Sequence, residues 1–136
     1  MIEIKTIPHN EQRYDTVGDY WEDAEGAHIR VSAMEDLRYE YLVAIHELVE
    51  YFLVKLAGVS IDTIDSFDKN FEDARLSGNE DEPGDDLQSP YFMQHQVATM
   101  VERICAFAMG VLWAEYEKAC HRLFITTDYE KTDQKV

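Results

Sequence analysis

The chain has 136 residues, the length of one domain, and its 46% apolar content is enough for a real core. A formal charge of -16, from 28 acidic against 12 basic residues, argues against a nucleic-acid-binding surface or an anionic membrane, because phosphate contacts are made mainly by Lys and Arg. It leaves open cation binding, a basic partner protein, or plain solubility.

Residues 1–32 read as β-rich. Ile2 and Ile4 alternate with charged residues, and a second alternation runs through His28, Ile29, Arg30 and Val31. Asp23-Ala24-Glu25-Gly26 has the chemistry of a hairpin turn joining strands at 18–21 and 28–31, with Gly26 supplying a positive φ. The pattern predicts a small N-terminal antiparallel sheet. Tyr20 and Trp21 read as packing residues, and His9 and His28 as surface or strand histidines outside any site.

Ser32 with Glu35 three residues later has the form of a capping box, opening a predicted helix over 33–57 that Gly58 closes. Within it, Tyr41 to Val54 is apolar or aromatic except for His46, Glu47 and Glu50. At about 100° per residue, Glu50 lies about 40° round from His46 and Glu47 about 100°, so the three share one sector of a buried rod. An imidazole and two carboxylates buried without partners cost several kcal/mol, and a divalent metal is the most economical compensation. Hydrogen bonds to neighbouring helices, or a solvent-exposed edge, are the other ways to satisfy them.

A second helix over 61–75 carries the stripe Ile64, Phe67, Phe71 and Ala74. Asp62, Asp65 and Asp68 recur at threes, as on a solvated acidic face, although Asp68 borders the stripe and could offer a carboxylate to a metal on the preceding helix. Residues 76–89, with Gly78, Asn79, Pro83, Gly84 and five acidic residues, read as a loop; Asp85 and Asp86, beside Gly84, could contact a cation, but an acidic loop is normally a solvated one without a functional role. Ser89-Pro90 starts a third helix running to Met109 ahead of Gly110. It is predominantly apolar, yet His95 and Glu102 stand seven residues apart, within about 20° of one another. A last helix over 113–124 places Trp113, Tyr116, Ala119, Cys120 and Leu123 on one face, and 125–136 reads as a polar tail.

Cys105 and Cys120 lack a Cys-x-x-Cys spacing, so neither a disulfide scaffold nor a thiolate zinc site is indicated, and a reducing cytoplasm fits. No basic leader followed by an apolar core occurs, nor a run of about 18 apolar residues, as expected of a soluble, non-exported chain. The whole reads as one α+β domain, a small sheet followed by three or four mainly apolar helices.

If the helices of 33–57 and 90–109 lie side by side, His46, Glu50 and His95 converge as three metal ligands, the pattern of catalytic zinc with an open position. Glu47 is then placed as general base, and Glu102 as an acceptor orienting His95 or another ligand. The reverse arrangement, His95 and Glu102 satisfied by each other or by Arg103, stands beside it.

The strand ahead of His46-Glu47-Leu48-Val49-Glu50 resembles small zincin-type metallopeptidases over about 25 residues, with Glu50 where the second His of that motif would stand. The whole chain also resembles a group of phage and prophage proteins sharing the His-Glu-Leu-x-Glu helix, the Glu-Pro-Gly-Asp-Asp loop at 82–86 and Pro90-Tyr91 ahead of a His. The second resemblance implies a phage-type origin and treats these motifs as one site, without an activity or substrate. With the ligand pattern and the zincin-type likeness, the expected function is a zinc-dependent hydrolase of peptide or ester bonds. Two other classes fit. One is an acidic interaction protein with a structural His/Glu cluster. The other is a magnesium-dependent, all-α nucleoside triphosphate pyrophosphatase, whose Glu-x-x-Glu and further acidic pair Glu47, Glu50, Asp65 and Asp68 mimic, although magnesium prefers oxygen to His46. Two very apolar helices also leave room for a homodimer interface.

Overall fold

A computed structural model describes residues 1–76, 79 and 81–133, with side chains through Phe124 apart from those gaps. Three strands, β1 (Ile2–Ile7), β2 (Gly18–Asp23) and β3 (Gly26–Ser32), precede four helices, α1 (Leu37–Ala57), α2 (Ile61–Asp73), α3 (Phe92–Ala108) and α4 (Trp113–Asp133). The architecture is α+β.

The β2–β3 hairpin forms as its turn chemistry requires, with Asp23 opposite Gly26. Asp23 Oδ1 accepts from the Glu25 amide at 2.8 Å. Gly26 has φ of 131°, and a Cβ there would collide with the Met1 carbonyl oxygen, so only glycine fits. The sheet order is β1-β3-β2, and β1 runs parallel to β3 with Ile4 opposite Ile29. The sheet is therefore mixed, not purely antiparallel. The long excursion from β1 through a 3₁₀ turn at His9–Glu11 lets the chain re-enter at the far edge, so the hairpin's own strands sit together and β1 docks alongside β3.

Ala27, Ile29 and Val31 alternate onto the face that packs against α1, joined by Tyr20 from β2. Ile29 is fully buried at the centre of this layer. Ile29→Ala is expected to lower the free energy of unfolding by about 2–5 kcal/mol, read by urea denaturation, because it opens a cavity lined by elements that cannot all close on it. On the opposite face Trp21 stacks on His28 at 5.3 Å, with the Arg13 and Arg30 guanidinium groups over the indole.

Helix α1 begins later than the Ser32–Glu35 box implies. Ser32 is the last residue of β3 and fully buried, and its hydroxyl is taken by His9 Nδ1 and Gln12 Nε2. Asp36 caps the helix instead, its carboxylate accepting from the Arg38 amide at 2.9 Å. At the other end Gly58 takes φ of 73° and Val59 N donates to Val54 O, closing the helix as expected. Ser60 caps α2, accepting from the Thr63 amide at 3.3 Å. Helix α3 starts one turn into the Ser89-Pro90 signal, at Phe92, and ends before Gly110 at φ of 70°. Helix α4 continues through residues expected as polar tail as far as Asp133; 134–136 lie outside the described residues, as do positions 77, 78 and 80 of the acidic loop. The most extensive helix pairing is α1 against α3. That pairing brings the two polar patches of the sequence face to face.

Candidate metal centre

His46 and Glu50 are four residues apart on α1 and point the same way; His95 arrives from the first turns of α3. His46 Nε2 lies 3.0 Å from Glu50 Oε2, His95 Nδ1 lies 2.8 Å from that same oxygen, and the two nitrogens are 3.2 Å apart. All three residues are buried. This buried triangle of two imidazole nitrogens and a carboxylate oxygen could hold a metal ion.

The outer faces of these three side chains are held by further polar groups. Glu102 Oε1 sits 2.8 Å from His46 Nδ1, and Tyr116 donates to the other oxygen of Glu102. Glu102 therefore faces His46 across the helix pair, not His95 on its own helix. Tyr20 donates to Glu50 Oε1 at 2.8 Å, leaving Oε2 for the histidines. His95 Nε2 faces the acidic loop, with Glu82 Oε2 at 3.0 Å and Asp85 Oδ1 at 3.3 Å. Both oxygens lie off the ring N–H direction, so neither makes an aligned hydrogen bond to this buried atom.

A carboxylate only accepts, so Glu102 fixes a proton on His46 Nδ1, and Glu82 with Asp85 favours one on His95 Nε2. In neutral rings this leaves the lone pairs of His46 Nε2 and His95 Nδ1 aimed at Glu50 Oε2. Three lone pairs at one point repel unless a cation or additional protons stand between them. Burial alone pushes the His46 imidazolium down, but Glu102 and Glu50 more than reverse this and hold its pKa well above the usual range. For His95, burial is likewise overcome, by Asp85, Glu50 and Glu82, and its pKa is held up to about 12. Glu50, resisted by burial but served by both rings, is held down to about 2. Two imidazolium ions and two carboxylates sum to zero, and so do two neutral imidazoles, two carboxylates and a divalent cation.

No protein-family model, curated protein or solved structure matches this chain. The site is therefore read from its own chemistry.

Glu47 lines the cavity of about 570 Å³ that opens beside the triangle, a volume in the range of small-ligand pockets. Its carboxyl is pushed well above the carboxylate range, first by burial and then by the charge of Glu50. A Cβ on Gly18 would stand 2.6 Å from Glu47 Oε1, so the glycine is what lets β2 pass over this carboxylate. Asp68 lines the same cavity but is not among the grouped ligands: Tyr91 donates to its Oδ1 at 2.6 Å. Burial, then the charge of Glu50 working against the Tyr91 hydrogen bond, raises its pKa to about 7. Cys120 also lines the cavity, its thiol pushed up to about 12 by burial, which disfavours a thiolate ligand or nucleophile.

The acidic loop departs from its solvated reading. Residues Pro83–Asp85 form a 3₁₀ turn packed on the His95 ring, and a Cβ on Gly84 would collide with that ring. Gly84→Ala is expected to displace His95 and weaken metal binding by about 10–100-fold, the size of effect seen when a ligand's orientation is lost; competition against a chromogenic chelator reads it. Tyr20 and Tyr116 are the site residues that the sequence did not assign, and Glu82 and Asp85 were tied to the site only by the resemblance that groups the 82–86 loop with the His46 helix. Only the position of Tyr20 on the inward face of a strand, in register with Ile29, was available as a signal.

A separate grouping, Asp23, Glu25 and His28, lies at the hairpin turn. There the Arg30 guanidinium stands 3.5 Å from His28 Nδ1 and pairs with Glu3 at 2.6 Å, a positive charge that disfavours a cation.

Proposed function

We propose that this chain is a zinc-dependent hydrolase of amide or ester bonds, with His46, Glu50 and His95 as ligands and Glu47 as general base. The observation that carries this reading is the buried triangle of two ring nitrogens and one carboxylate oxygen, with protons directed to the outer ring nitrogens by carboxylates. Two nitrogens and one oxygen suit zinc, and three protein ligands are the number a catalytic zinc site would use. Zinc in such a site supplies Lewis acidity and a nucleophilic water at neutral pH. Glu47, adjacent in sequence to the ligand His46 and lining the cavity, takes the proton of the attacking water and returns it to the leaving group. Glu102 and Tyr116 hold His46, Tyr20 holds Glu50, and Glu82, Asp85 and Gly84 hold His95. The zincin-type resemblance and the proposed phage-type origin are consistent with this chemistry and add no substrate to it.

The pyrophosphatase reading has one observation in its favour: Glu47, Glu50, Asp65 and Asp68 line a single cavity. Against it, Glu50 Oε2 is engaged by two imidazoles, which removes it from an oxygen-only magnesium cage. In the non-enzymatic alternative the cluster is filled by protons alone and the acidic surface binds a basic partner.

Elemental mass spectrometry of untagged protein, as purified and after chelation and zinc repletion, tests the proposal together with a peptide and ester hydrolysis screen. The expected result is close to one zinc per chain and zinc-dependent hydrolysis. No retained metal after repletion overturns the metal centre; retained metal without hydrolysis of any amide or ester overturns the enzyme and leaves a structural ion.

A further inference from the structure

The outer face of α3 stands apart from the rest of this acidic surface. Its exposed residues are Met93, Val97, Met100, Arg103, Ile104, Phe107 and Ala108. Met93, Val97, Met100, Ile104 and Phe107 are 69%, 40%, 62%, 68% and 89% exposed, and they follow one another at steps of four, three, four and three. That is the a/d spacing of a helix seam, carried through two heptads on the side away from His95 and Glu102. Leu112, 73% exposed, lies just beyond its end. The sole acidic residue of α3, Glu102, is buried, so a chain with 28 acidic residues presents no exposed carboxylate along this helix. Core interfaces are depleted of charge in the same way, whereas a merely solvated helix has no reason to be.

We propose that α3 pairs with α3 of a second copy of this chain in an antiparallel homodimer, its two-fold axis close to Met100. The stripe is complementary to itself in that orientation. With Met100 at the centre, Met93 comes opposite Phe107, a sulfur–aromatic contact, and Val97 comes opposite Ile104. Two copies carry like charge, -16 each, so what favours a second copy is the self-complementary, carboxylate-free face itself, which keeps that repulsion out of the contact. A net charge of -16 opposes an anionic membrane, and a basic partner would seek the carboxylates this face lacks. Between two copies, the remaining carboxylates stay outside the contact. A single helix seam of this length lies towards the lower end of the area a stable interface needs, about 800 Å² per partner, so dissociation on dilution is expected.

Sedimentation velocity of the full chain across a concentration series is expected to show a species of twice the 15.8 kDa chain mass. Met100→Glu with Ile104→Glu should weaken the dimer by at least about 30-fold, the effect of losing a central hot-spot pair. Both positions are exposed, so the circular dichroism spectrum should be unchanged. Met100→Arg is a second variant with the same expected effect should the doubly substituted chain fail to fold. By length and composition the bent pair of α3 and residues 113–124 passes as apolar enough for lipid, so flotation with neutral phosphatidylcholine vesicles completes the test. A wild-type monomer at hundreds of micromolar, a dimer that survives all three substitutions, or vesicle binding as a monomer would each overturn the proposal.

Discussion

Glu47→Gln is expected to keep the metal and lose turnover by about 10²–10⁴-fold, the usual contribution of a positioned general base. The amide is isosteric, so the close passage of Gly18 over this side chain is undisturbed. What changes is the ability to accept a proton. In the metal-free protein burial and the Glu50 charge hold that carboxyl well above its usual range; a divalent cation bound beside it would lower that pKa and favour the ionised base. His46→Ala, Glu50→Gln and His95→Ala should instead remove metal and activity together. Glu102→Gln lies between them, weakening metal binding by about 10–100-fold through the orientation and tautomer of His46. Metal content and kcat measured on the same five preparations separate the roles. Unchanged kcat in Glu47→Gln removes it as base, and full zinc occupancy in His95→Ala removes α3 from the ligand set.

Half of this arrangement was legible in one dimension. A helix fixes angles, so His46 with Glu50, and His95 with Glu102, could each be assigned a common face from spacing alone. That α1 and α3 pack together could only be supposed, because nothing in either apolar run says which neighbour covers it. Crossing the two pairs was legible in part: setting the helices side by side already joins His95 to Glu50, whereas the choice of His46 as the partner of Glu102 is fixed by the rotation of one helix against the other. The loop residues Glu82 and Asp85 were tied to the site by resemblance and not by their own pattern, for a different reason. An acidic, glycine-bearing segment has no periodicity, and its composition is that of a solvated loop; in space the approach of Gly84 to His95 ties it to the site. The sheet shows the same division. Turn chemistry determines the β2–β3 hairpin locally, whereas the parallel placement of β1 depends on the path of the connection over residues 8–17. Ser32 misled because a cap motif is a statement about a free hydroxyl, and this one is consumed inside the sheet.

Without metal, the triangle is held together by protons, and stability and metal affinity should therefore move in opposite directions with pH. The folded pKa values of His46 and His95 lie above the unfolded value near 6.5, so their contribution to stability is fully present below about pH 6.5 and is lost as pH rises through the folded values, about 12 for His95. Glu50 acts with the other sign: held down to about 2, it stabilises above its unfolded value near 4.5 and loses this as pH falls towards 2. Asp68, raised to about 7, favours the protonated folded form, so its share is already declining between about pH 4 and 7. The Tm of metal-free protein should thus fall from pH 6 to 8.5. Zinc must displace one proton from each ring, so over the same interval its apparent affinity should rise by up to about 100-fold per pH unit, and the zinc-bound Tm should climb above the metal-free one. Isothermal titration in two buffers of different ionisation enthalpy counts the protons directly. Close to two released per zinc at pH 7 is the expected outcome; none released would mean that the rings are already neutral and that another compensation holds Glu50 between them.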